Sequence, residues 1–248
     1  MAAGMLLALG AWQATGQGAP EKGRTPVLVE LFTSEGCSDC PPADALLERL
    51  DKTQFVPGAE AIVLSEHVTY WDRLGWQDPF SLLEATARQQ HYAEQFDLND
   101  VYTPQAVVDG SAQMVGSSAS KLTRAVAEAA AQPTIALQIE NAHWENGVAS
   151  FSVRGQAPAH SKLVAALAAD ATHSEVTRGE NAGRTLHHVA VMRVIKEFDA
   201  ETADGRPLHL KGSRAMEKKE ATGPVRLVVF VTDGKNGHVL GAAEQTLQ

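Results

Sequence analysis

Cys37 and Cys40 are the only thiols in a chain of 248 residues, and they lie close together in Cys37-Ser38-Asp39-Cys40-Pro41. Thiols at this spacing can close a disulfide, reopen it by thiolate attack, or contribute to a soft-metal site. The apolar run Val27-Leu28-Val29-Glu30-Leu31-Phe32 precedes them and a helical pattern follows. C-x-x-C on a short loop between a strand and a helix is the setting of a redox centre. At a helix mouth, unpaired backbone N–H groups and the positive end of the macrodipole favour the anion on Cys37. Cys40, on the first turn, can then displace a mixed disulfide from Cys37. The expected roles are Cys37 as an accessible nucleophile and Cys40 as the resolving thiol. Glu35 and Asp39 are nearby acids that oppose the dipole.

Other residues could contribute. Tyr70, Trp71 and Trp76 fall in one aromatic loop, which can wall a groove beside the dithiol or simply pack on itself. Arg178, Glu180, Asn181 and Arg184 can converge on an anion, or hold their own loop together. The histidines show no H-E-x-x-H spacing. The dithiol could take copper or zinc with His67 as a third ligand, although one C-x-x-C is an incomplete zinc site.

These residues need elements to hold them. Residues 27–32 read as a buried strand. Residues 41–52 read as a helix with Ala43, Leu46, Leu47 and Leu50 on one stripe and Ser38 or Asp39 as cap. A strand at 61–65 follows. A helix at 81–96 has Ser81 and Glu84 as a capping box. Residues 105–108 and 112–115 form a hairpin about Asp109-Gly110, and 117–131 is a third helix. The order β-α-β-α-β-β-α over 24–132 is that of a thioredoxin-type α/β layer. Beyond Pro133 come strands at 134–140, 148–154, 162–169, 187–194, 225–232 and 239–245, separated by turn residues. The expected fold is therefore an α/β thioredoxin-like domain (24–132) followed by an all-β sandwich-like domain (133–248).

A formal net charge of −9 argues against nucleic acid and anionic membrane surfaces as partners. No run of about eighteen apolar residues could form a stable membrane span. Residues 1–23 have an apolar stretch and a polar Gly/Pro tail like a secretory signal, without a basic residue before the stretch.

The run 29–44, VELFTSEGCSDCPPAD, resembles the signature of a secreted bacterial thioredoxin-like family catalogued as a domain of unknown function, DUF 1223. The segments HVTYWDRLGWQDPF (67–80), VYTPQAVVDG (101–110) and RGENAGRTL (178–186) resemble it too, so the likeness covers nearly everything from residue 26. It implies a periplasmic or secreted protein with a thioredoxin-like domain. In thioredoxin-type folds a cis-proline at the start of this strand lies against the dithiol, so Thr103 and Pro104 are expected to position substrate, with Tyr70 and Trp71 beside them if the aromatic loop walls a groove rather than packing on itself. Thioredoxin's buried aspartate is replaced here by Leu31, and Glu66 and His67 could stand in for proton transfer. The expected function is thiol–disulfide exchange on a protein or small-molecule thiol or disulfide, with no organic cofactor. The alternatives are a copper- or zinc-binding or ligand-binding module without turnover, and a permanent disulfide in an interaction module.

Overall fold

The computed structural model describes residues 23–213, 216 and 222–247; the leader expected at 1–23 falls, but for Gly23, outside the described residues. In chain order the elements are β1 (Thr25–Thr33), α1 (Pro41–Thr53), β2 (Ala59–His67), α2 (Leu83–Gln95), β3 (Gln105–Val108), β4 (Ala112–Val115) and α3 (Ala119–Ala130). Then follow β5 (Gln138–Glu145), β6 (Val148–Arg154), β7 (Lys162–Glu175), β8 (Thr185–Asp199), a short α4 (Ala200–Ala203), β9 (Leu208–Lys211), β10 (Thr222–Thr232) and β11 (Val239–Leu247).

The continuous apolar run of β1 is buried on both faces, as a central strand requires. It pairs in parallel with β2 from Thr25↔Ala59 to Thr33↔His67, and antiparallel with β3 from Val29↔Val108 to Phe32↔Gln105. Helix α1 buries the expected stripe and, with it, Asp44. The β3–β4 connection spans residues 109–111, with Asp109 (φ 45°) and Gly110 (φ 60°) both in the left-handed region.

The layout of a thioredoxin-like domain followed by a separate β-sandwich is not what the chain forms. One mixed sheet of eight strands runs in the order β11-β10-β7-β8-β2-β1-β3-β4, and a second sheet of three runs β5-β6-β9. Strand β8 joins β2 in parallel at Ser65↔Val191. The reason lies in burial. Strands of a two-sheet sandwich bury alternate residues, but Leu163 to Ala169 of β7 and Leu227 to Val231 of β10 are buried at every position. Val164, Ala166, Ala168, Val228 and Phe230 share a core with β1, β2 and the helices. Leu163, Ala165, Leu167, Leu227 and Val229 pack instead with Phe151, Val153 and Leu210 of the small sheet. The large sheet is thus covered on both sides.

Smaller differences have local causes. The capping box expected for α2 does not form: the Ser81 hydroxyl donates to Asp72 Oδ2 (2.8 Å), and Leu82 is the N-cap. Strands β7 and β8 run 14 and 15 residues and form one long antiparallel hairpin. Between the pairs Leu167↔Val194 and Ala168↔Met192, β8 accommodates one extra residue, Arg193, as a bulge. Arg193 Nη1 donates to the Phe80 carbonyl (2.8 Å).

Candidate functional site

Cys37 and Cys40 are joined by a disulfide at the start of α1. Cys40 is the helix N-cap and Pro41 and Pro42 occupy the first turn, where no N–H is needed. The expected side-chain cap from Ser38 or Asp39 is absent. Ser38 instead donates its backbone N–H to Glu180 Oε2 (3.1 Å). Cys37 is 1% exposed and Cys40 0%, although Ser38 and Asp39 between them are open to solvent. The accessible Cys37 expected from the motif is therefore covered in this conformation. The turn at the tip of the β7–β8 hairpin lies against the cysteine loop: Asn181 Nδ2 donates to the carbonyls of Glu35 and Cys37, each at 2.9 Å.

Beside the disulfide lies a sealed group of charges. Glu35, two residues before Cys37, accepts from Ser174 Oγ and, at Oε2, from Trp76 Nε1 (2.8 Å). His188 Nε2 lies 3.2 Å from Glu35 Oε1, and its Nδ1 lies 3.8 Å from Asp44 Oδ2. Asp44 Oδ1 accepts from Thr33 Oγ1 (2.9 Å). Burial alone would lower the pKa of His188, but the Asp44 and Glu35 carboxylates outweigh it and lift the ring to about 10. His188 is thus an imidazolium at neutral pH. The His67 ring stands edge-on to it with centroids 4.6 Å apart, and Phe80 packs against both. His67 Nδ1 meets Asp78 Oδ2 at 2.7 Å. Burial would raise Asp78, yet His67 and the N–H groups of Glu35 and Phe80 hold it at about 2.

The structure places the expected site residues unequally. Thr103-Pro104 is a cis peptide, and Pro104 is buried. A Cβ on Gly116 would meet Leu31, Ala43 and Pro104, so that proline lies by the first turn of α1. Trp71 donates to Thr103 Oγ1 (2.8 Å) and lies against Gly36 of the cysteine loop. Tyr70 turns to Gln89 (3.1 Å), and burial pushes its phenol up to about 12. Glu66 and His67, adjacent on β2, part company. His67 joins the cluster beside the disulfide. Glu66 joins Glu30, Arg88 and Tyr92. There, burial and the Glu30 charge raise Glu66 well above the usual carboxylate range, despite Arg88.

Sequence reading missed Asp44, Asp78 and His188 as parts of this site; it named Trp76 as a possible wall beside the dithiol, and Asn181 only as a candidate anion contact with no placement near Cys37. Two of the missed residues carried a signal. Asp44 is a charge on the buried face of an amphipathic helix, and His188 shares the buried parity of Leu186 in β8. Among the described residues no group of three or more His, Cys, Asp or Glu side chains is arranged to hold a metal ion.

Residues 28–232 match the family described as "Protein of unknown function (DUF1223)", so the chain belongs to that family. It is similar to a crystal structure of protein AGR_C_4864 from Agrobacterium tumefaciens, at 22% identity and a TM-score of 0.65, covering 92% of this chain and 96% of that one. At that identity the likeness concerns the fold alone. No curated protein matches the chain.

Proposed function

We propose that this member of the DUF1223 family carries out thiol–disulfide exchange through Cys37 and Cys40, in an oxidising compartment outside the cytoplasm. The observation that carries the reading is the Cys37–Cys40 disulfide at the N-cap of α1, backed by a buried imidazolium held between two carboxylates that flank the motif. A disulfide built only to brace the fold has no need of such charges beside it. Burying them is expensive unless they are paired.

From the oxidised protein, a substrate thiolate attacks Cys37 Sγ. The Cys37–Cys40 bond breaks and Cys40 leaves as a thiolate, which takes up a proton. A second substrate thiolate attacks the mixed disulfide. The substrate disulfide forms and Cys37 leaves with the electron pair. Two substrate thiols are oxidised and one protein disulfide is reduced; an external disulfide of the same class, run through the same steps in reverse, restores the starting state. A buried thiolate is costly, and an imidazolium nearby is the group suited to offset it. In this reading His188 and His67 govern the proton, Thr103 and Trp71 border the substrate, and Glu66 serves the opposite face of the sheet.

The test is trapping. In Cys40→Ser the Cys37 thiolate attacks a partner disulfide, one partner sulfur leaves as a thiol, and the mixed disulfide on Cys37 cannot be resolved, so covalent adducts should accumulate with disulfide-bearing partners and disappear on reduction. An unreactive Cys37 and no adduct with any thiol or disulfide would reject the reading. The burial of both sulfurs favours one other reading, a permanent structural disulfide. It requires a reduction potential below about −300 mV.

A further inference from the structure

Strand β11 is an edge of the eight-stranded sheet and β5 an edge of the three-stranded one. The two edges meet at one point. Ile135 N–H donates to the Leu240 carbonyl (2.7 Å), and Gly241 lets the chains close there, since a Cβ on it would fall 2.2 Å from the Ile135 carbonyl oxygen. Beyond that point, residues 136–140 and 242–246 both line a cleft of about 960 Å³. Among the described residues, the backbone of 242–246 makes no backbone–backbone hydrogen bond outside its ladder with β10. Alternate N–H and C=O groups of an edge strand point away from the ladder, so this edge can accept another strand. The cleft also takes in the starts of β1 and β2, at Pro26 and Ala61. The disulfide follows the other end of β1, roughly 20 Å away along the strand.

The charge along this edge is unbalanced. Arg226 of β10 meets three carboxylates: Nη1 and Nη2 lie 2.6 and 2.9 Å from Asp51, Nε donates to Asp170, and Nη1 lies 3.5 Å from Glu244 Oε1. Glu244 Oε2 has no hydrogen-bond partner. Burial, with Asp51 and Asp170 nearby, pushes Glu244 up to about 7 despite Arg226. Elsewhere on the lining, Arg24 and Glu60 contribute one charge of each sign, and Glu140 pairs with Arg154 (2.9 Å). The excess of negative charge is thus at Arg226. Asp170 and Glu244 remain partly open there, with side chains 32% and 25% exposed. We propose that the outer edge of β11 docks an extended polypeptide segment as an added strand, with a lysine or arginine side chain of that segment reaching Asp170 and Glu244. Main-chain hydrogen bonds supply the pairing, and the carboxylates select for positive charge. The volume suits such a guest, being that of a large ligand pocket. The docking edge lies at the far end of β1 and β2 from the disulfide, so it stands independently of the exchange reading.

The experiment uses the full chain and acetylated heptapeptides that alternate valine with lysine or arginine. Two controls accompany them: the same peptides with glutamate for each basic residue, and the basic peptides methylated on one or the other alternate set of backbone nitrogens. The readouts are the dissociation constant from calorimetry and the hydrogen–deuterium exchange of residues 242–246. The basic peptides should bind and slow exchange there about tenfold, while the glutamate peptides and one of the two methylated sets should not. Asp170→Asn and Glu244→Gln, made singly, each keep the pair of Asp51 with Arg226 and should weaken binding by about threefold to tenfold. Basic peptides that fail to bind overturn the proposal, as does binding that leaves exchange at 242–246 unchanged. Equal affinity for the glutamate peptides, for both methylated sets, or in both variants with native circular dichroism overturns it too. A dimer seen in sedimentation that protects 242–246 without peptide assigns the edge to a second copy of this chain and likewise overturns it. None of these outcomes bears on trapping by Cys40→Ser.

Discussion

At the scale of the residue, the deciding feature is the pairing of His188 with Glu35 and Asp44. Three charged groups are buried together and each depends on the others for compensation. His188→Gln keeps the volume and removes the positive charge, leaving two carboxylates uncompensated. It should cost about 3–5 kcal/mol in urea unfolding at pH 6. The pH dependence follows from the direction of the shift. The folded pKa of His188, about 10, lies above the unfolded value of 6.5. Its contribution to stability is therefore complete below pH 6.5 and is lost as pH rises through 10. The gap between parent and variant should narrow over that window. Parallel stability curves from pH 6 to 10 would show that His188 is not charged in the folded protein.

At the scale of the element, the β3–β4 turn touches the turn that follows β10. Asp109 O accepts from Val239 N–H (2.8 Å), and a Cβ on Gly110 would fall 2.6 Å from the Gly237 carbonyl oxygen. Gly110 also has φ of 60°, which side chains resist. Gly110→Ala should destabilise the protein by about 1–3 kcal/mol in denaturant unfolding, from strain at this position alone. An effect under a few tenths of a kcal/mol would mean that the two turns part easily. The β8 bulge matters at the same scale. By adding one residue it turns Arg193 toward Phe80, the ring that packs on both His67 and His188. The opposite face of β1 and β2 has its own arrangement. There Arg88 stacks over Tyr92 and Phe230 while neutralising Glu30.

At the scale of the whole molecule, the sheet makes the two halves of the chain one cooperative object. The core that holds Val27, Leu31 and Leu64 also holds Val164, Ala168, Val228 and Phe230. Arg226 of β10 ties the same halves electrostatically, with Nη1 and Nη2 at 2.6 and 2.9 Å from the Asp51 carboxylate of α1. A chain cut after residue 132 exposes the edge of β2 that β8 covers, and loses the apolar partners of that core. The fragment spanning 24–132 should therefore fail to fold alone, and the intact chain should unfold in a single transition. Dispersed amide resonances from the fragment, or two resolved transitions from the intact chain, would contradict this.

Local elements were legible because their determinants lie within a few residues. The strand–C-x-x-C–helix unit follows from an apolar run, a paired thiol and a 3.6-residue stripe. The hairpin follows from Asp109-Gly110, and β6 has the bounds expected for 148–154. Membership of the family was legible for the same reason, since it rests on short contiguous motifs. The sheet order was not. An open parallel edge accepts any strand of suitable register, and nothing near β2 in sequence specifies that β8 will take it. The sequence of Leu163 to Ala169 is a continuous apolar run, which is consistent with cover on both sides but does not say what supplies it. The site was hidden by distance. Glu35 and His188 are 153 residues apart, and Cys37 and Asn181 are 144 apart. Only chain closure in three dimensions could bring an imidazolium and an amide to a motif that, read alone, promised an open thiol.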